Sequence, residues 1–182
     1  MRCFLLLLAL AAGCVPYAIP PATVDVGGLR STEQGTRTGI HVDAGFSPMQ
    51  LMPTQFNRRW DAMLAGSFDR FGSHNTWGGA VAAGPIFFPF PVNNPDARVR
   101  LLPQVIGRLS TDASSIGARV AIEYVTFTSG SASDSNGGGV SYGEAAIGGY
   151  IESGYRSDDE LVITAGLTLR IPVIAGVSCC LH

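Results

Sequence analysis

The chain has 182 residues, a formal net charge of −2 and 14% charged side chains, against a typical ~25%. No basic face for nucleic acid is therefore available. All 12 basic residues are arginine, which excludes a Schiff-base lysine and a Walker-type phosphate loop.

Arg2 is the only charge in the first 24 residues, and residues 3–12 are apolar. That run is too short to span a bilayer, which takes ~20 residues. A basic start, a short apolar stretch and small residues at its end predict a secretory signal peptide over 1–13. Ala11-Ala12-Gly13-Cys14 resembles the lipobox of bacterial lipoproteins. The resemblance implies that Cys14 is lipidated and becomes the first mature residue, with membrane lipid as its partner. Val15 in place of an aspartate implies sorting to the outer membrane of the cell envelope. An ordinary cleavage site with an incidental cysteine is the alternative. Residues 14–22, rich in proline and uncharged, predict an extended tether.

From there the pattern alternates with a period of two, the mark of half-buried strands. Residues 22–31 predict the first strand. Next, Ile40, Val42, Ala44 and Phe46 oppose His41 and Asp43, and Trp60, Ala62, Leu64 and Phe68 oppose Asp61, Ser67 and Asp69. Residues 77–90 form a less regular strand, interrupted by Pro85 and Pro89. Val99, Leu101, Val105 and Leu109 oppose Arg98, Arg100, Gln104 and Arg108; Ile116, Val120, Ile122 and Tyr124 oppose Arg119 and Glu123. Ala145, Ile147 and Ile151 oppose Glu144 and Glu152, and Leu161, Ile163, Leu167, Leu169 and Ile171 oppose Thr164, Thr168 and Arg170. Turn-rich breaks separate the runs.

This order predicts an all-β fold: an antiparallel up-and-down β-barrel of about eight strands over 23–178, followed by a Cys-Cys tail at 179–182. The length of the runs favours tilted barrel strands. Residues 164–171 resemble the last-strand signal of outer-membrane barrels, although the terminal aromatic is missing. The longer connections, 47–58, 89–97 and 129–139, fall at the same end as the C-terminus. Spanning barrels keep short turns on that side.

Two barrels fit one alternation. A membrane barrel turns its apolar face out and encloses a polar lumen; a tethered soluble barrel does the reverse and binds a small apolar ligand. Few charges of mixed sign among small residues favour the membrane barrel. The polar network expected in its lumen comprises His41, Asp43, Asp61, Asp69, Arg119, Glu123 and Glu144. Trp60, Trp77, Tyr124, Tyr142, Tyr150, Tyr155, Phe87, Phe88 and Phe90 read either as girdles at the membrane interfaces or as packing at the barrel ends.

Catalytic and metal chemistry find little support. His74-Asn75-Thr76 faintly resembles the His-x-Ser motif of outer-membrane lipase barrels, which implies a third reading as a barrel hydrolase. The motif falls in a predicted turn with no acid evidently placed. His41, Asp43, Asp61 and Asp69 suit a filled polar lumen as well as a site. The aspartates of 134–139 and 158–160 lack a calcium-loop spacing. Cys179 and Cys180 are candidates for a vicinal or intermolecular disulfide in an oxidising compartment. The expectation is a non-enzymatic outer-membrane barrel lipoprotein with a structural or interaction role and no cofactor.

Overall fold

The computed structural model describes residues 14–19, 21–31, 37–51, 59–90, 98–127, 130–133, 139–142, 144–157, 160–172 and 174–179. The expected signal peptide at 1–13, Cys180, and most of the predicted loops at 47–58, 89–97 and 129–139 lie outside these residues.

The barrel itself is made by β2 (Ala22–Ser31), β3 (Arg37–Phe46), β4 (Trp60–Phe71), β5 (His74–Pro85), β7 (Arg98–Ser110), β8 (Ser114–Phe127), β11 (Ala145–Arg156) and β12 (Leu161–Ile171). Every pairing is antiparallel, β12 pairs with β2, and β5 pairs with β7. The ladder thus closes, which removes the free edges of an open sheet. Following the paired residues once round the barrel advances the register by about ten positions along β2, the stagger that tilted strands require. The short β6 (Phe87–Phe90) carries the line of β5 past Ile86 and also pairs with β7.

Four further strands prolong the barrel beyond one rim. These are β1 (Cys14–Ile19), β9 (Gly130–Ser133), β10 (Gly139–Tyr142) and β13 (Ile174–Cys179), in the order β1-β13-β10-β9. The β1–β13 ladder, from Cys14↔Cys179 to Ile19↔Ile174, keeps the register that β2 and β12 resume at Ala22↔Ile171. The segment read as a tether is therefore mostly strand, and Cys179, read as part of a tail, closes β13. Pro16 is tolerated because β1 is an edge strand, where a missing N–H breaks no inner ladder. Part of the predicted loop at 129–139 is likewise the β9–β10 hairpin. A 3-10 turn, η1 (Pro48–Leu51), follows β3.

At the opposite rim β4 and β5 meet across Gly72 and Ser73. Gly72 has a φ of 58°, a left-handed conformation that glycine adopts without a Cβ clash. The motif residues His74 and Thr76 consequently lie on β5, past the turn where they were expected. The wider connections share the end that bears β1 and β13, as the spacing of the strands predicts.

Candidate functional site

Closing the sheet forces one face of every strand inward, and in this chain it is the polar face. Asp25, Asp43, His41, Glu123, Arg100 and Arg119 are each at most 3% exposed, while Val105, Leu109, Ile116 and Leu167 on the outer face are all more than 60% exposed. The soluble ligand-binding barrel requires the opposite arrangement. Its apolar interior is not present, so that reading is overturned.

The lumen is filled by ion pairs in two groups, joined by a stacked pair. Near the rim that carries the extension, Arg170 of β12 donates through both Nη groups to Asp61 of β4, each at 2.9 Å, and through Nη2 to Glu123 of β8 at 3.1 Å. Glu123 also accepts from Arg100 Nε of β7 at 2.8 Å, and Arg100 reaches Glu144 at 3.0 Å. Ser47 and Gln104 complete the shell of Asp61, each donating at 2.9 Å.

Near the short-turn rim, Arg108 of β7 makes two forked contacts. It donates to both oxygens of Asp43 at 2.8 Å and to both oxygens of Glu152 at 2.7 and 2.8 Å. His41 lies alongside, with Nε2 3.1 Å from Asp43 Oδ2 and Nδ1 2.5 Å from Asp69 Oδ1. Both ring nitrogens face carboxylates, and the hydrogen bond is the one between Nδ1 and Asp69. Midway between the groups, Arg119 pairs with Asp25 at 2.6 Å and its guanidinium lies 4.2 Å from the centre of the Tyr150 ring.

Forked arginine–carboxylate contacts suit such a place, since they satisfy several donors and both oxygens at once. Charges removed from water are costly unless paired and hydrogen-bonded. Among the described residues the same interior also holds two small apolar clusters, Met63, Ala80, Ala82 and Ile106 in one and Ile86, Leu102, Ala121 and Tyr150 in the other. An interior filled by side chains makes a plug rather than a channel.

Of the seven residues expected in the lumen, His41, Asp43, Asp61, Arg119 and Glu123 are buried on the inner face, and Asp69 and Glu144 are partly exposed. The arginines that partner them, Arg100, Arg108 and Arg170, come from the same polar face, whereas the side chain of Arg98 lies outside the described residues. Asp25 and Ser47 escaped the sequence reading, though Asp25 shares the inward phase of Thr23 and Leu29. Tyr150, grouped with the candidate girdle aromatics, is 4% exposed and belongs to the lumen. Its even-numbered phase, shared with Glu152, was the available signal. Gly27 makes room for it, since a Cβ there would come within 2.7 Å of the Tyr150 hydroxyl.

Outside, the aromatic residues fall at two levels. Trp60, Phe87, Phe88 and Tyr124 ring the rim nearer the extension, and Trp77 and Tyr155 the short-turn rim, all exposed. At the short-turn rim an acid does meet the His74 motif. His74 Nε2 lies 2.7 Å from Asp112 Oδ2, and Thr76 donates to the same oxygen at 3.0 Å. These bonds, the one from His74 foremost, lower the Asp112 pKa below its ordinary value. A hydroxyl that donates to the acid rather than to the histidine is not arranged as a nucleophile–base pair. Among the described residues, no group of three or more His, Cys, Asp and Glu side chains is placed to hold a metal ion.

No family model matches the chain, and no curated protein matches it. Among solved structures it is similar to the crystal structure of Neisserial surface protein A, with 13% sequence identity, 85% of this chain and 98% of that chain covered, and a TM-score of 0.42. At that distance nothing beyond the likeness follows.

Proposed function

We propose that this chain is an outer-membrane-spanning barrel with a structural or interaction role rather than a catalytic one. The observation that carries the reading is the inversion of polarity, with an apolar, aromatic-rimmed outer wall around an ion-paired lumen. Eight strands of 10–14 residues, tilted by about 45°, give a wall about 25–30 Å high, the thickness of a bilayer's hydrocarbon core. The two aromatic levels sit where interfacial belts belong. A plugged lumen supports no transport role, which leaves the rims as working surfaces.

The rim with the extension is the better interaction surface. Among the described residues its four-stranded sheet ends at β1 and β9, and open edges can receive a partner strand. The Ala11–Cys14 resemblance adds a lipid anchor at Cys14 to this reading. Because Cys14 stands opposite Cys179 at the far end of β1, a lipid there returns to the bilayer only if the extension lies along the headgroups or β1 leaves β13.

Carbonate washing of membranes from a Cys14→Ser strain tests both parts. A spanning barrel stays in the membrane pellet without its anchor and shows heat-modifiable gel mobility. Release of the Cys14→Ser protein into the wash sinks the spanning reading. The mass of the N-terminal peptide of the unaltered protein decides the lipidation.

A further inference from the structure

Among the described outward side chains of the eight barrel strands, the charged ones are two arginines, and they are neighbours. Arg30 on β2 pairs with Thr38 on β3, Ile40 beside Thr38 pairs with Arg70 on β4, and Arg70 pairs with Asn75 on β5. The register thus sets Arg30 beside Thr38 on one rung and Arg70 beside Asn75 on the next, on the same outer face of four adjacent strands at the short-turn rim, and all four are exposed. Arg30 and Arg70 are two strand spacings and one rung apart, about 12 Å, so two long side chains can converge on one group. The Nε–H of Arg70 donates to Gly72 O at 3.1 Å, which orients the side chain at the rim.

The surroundings suit a lipid. Directly above these residues the wall is apolar, with Val26, Ile40 and Leu64 between 41% and 55% exposed. The outward Gly28, opposite Ile40, and Gly66, opposite Ala44, leave hollows in the wall, for a Cβ added at either would meet nothing closer than 4.0 and 3.8 Å, respectively. Trp77 packs on Phe68 with ring centres 4.4 Å apart, an aromatic shelf at the level where headgroup gives way to chain. Guanidinium groups bind phosphate oxygens in a bidentate fork, and Thr38 and Asn75 add neutral donors. We propose that Arg30, Thr38, Arg70 and Asn75 form a binding site for the phosphate headgroup of an anionic phospholipid whose acyl chains lie over Ile40, Gly28 and Gly66.

The inference rests on the spanning reading, so its test must separate the two. The protein is reconstituted in vesicles of phosphatidylcholine with added phosphatidylglycerol, extracted in mild detergent, and weighed by native mass spectrometry. Retained phosphatidylglycerol is expected on the wild type and about tenfold less on Arg30→Gln/Arg70→Gln, a change equivalent to ~1.4 kcal/mol. Asn75→Leu is expected to give a smaller loss, and excess inorganic phosphate is expected not to displace the lipid. Heat-modifiable mobility of each variant confirms that it is folded. Equal phosphatidylglycerol retention by the folded double variant overturns the site, as does displacement by inorganic phosphate, which marks a free-anion site. Quenching of the rim tryptophans, Trp60 and Trp77, by brominated acyl chains reports separately on the wall. Its absence in the wild type overturns the spanning reading, whereas quenching with unchanged lipid retention overturns the clamp alone.

Discussion

The inner and outer walls of this barrel come from the same strands, yet they are held by different forces. Along β12, Thr164, Thr168 and Arg170 are buried while Ile163, Leu167 and Leu169, one residue away in each case, are exposed. The inner wall is specific. Arg108 can satisfy its fork only because Asp43 and Glu152, from β3 and β11, arrive on either side of it. The outer wall asks only for apolar surface and has no partner to match. Inner positions therefore depend on the identity of their neighbours, and outer positions on the medium.

The largest break in this comparison is expected at Glu123, which accepts from both Arg100 and Arg170. Glu123→Ala takes a shared acceptor from two buried guanidinium groups, leaving Arg170 with Asp61 and Arg100 with Glu144, and should cost about 3–5 kcal/mol of unfolding free energy, in vesicles and in detergent alike. Denaturant titration followed by tryptophan fluorescence measures it; a loss that vanishes in one medium would show that the lumen is not sealed from its surroundings. The outer counterpart is Leu167→Arg, at a site 69% exposed in mid-strand. In vesicles it should cost about 2–4 kcal/mol, the penalty for arginine facing lipid near the midplane. In detergent micelles the cost should fall, and an equal cost in the two media would contradict a lipid-facing wall.

The smallest effect is expected where neither wall is involved. Asp112 lies in the exposed turn between β7 and β8, its pKa lowered by His74 and then Thr76. A depressed carboxyl stabilises the fold above its unfolded value, about 3.9 for an aspartate, and that contribution disappears as the pH falls through the folded value. Amide exchange in the β4–β5 turn and at Thr76 should accelerate on acidification below that point, and Asp112→Asn should remove the pH step. A step that survives the substitution assigns it to another group.

How far sequence alone reaches depends on the distance over which each feature is decided. Alternation is a property of neighbouring residues, and a strand puts successive side chains on opposite faces. The faces of β3, β4, β7, β8 and β12 were therefore legible, as was the mixed-charge network around His41, Asp43 and Glu123. Tyr150 stayed open between an interfacial girdle and barrel-end packing because aromatic character suits both, and only its phase points into the lumen. Residues 14–22 were read as a tether because proline and the lack of charge resemble a linker; nothing local reveals that β13, more than 150 residues on, supplies the ladder.

By itself, the chain's composition and period determined that it would be all-β, that each strand would have one polar and one apolar face, and that the polar face would carry both signs of charge. Only the closed sheet decided which face turned inward, since alternation is the same for a barrel and its inverse. Closure and stagger also chose the partners, bringing Arg108 to Asp43 across 65 residues and Arg170 to Asp61 across 109. Those pairings depend on register summed around eight strands, a quantity that no short stretch of sequence contains.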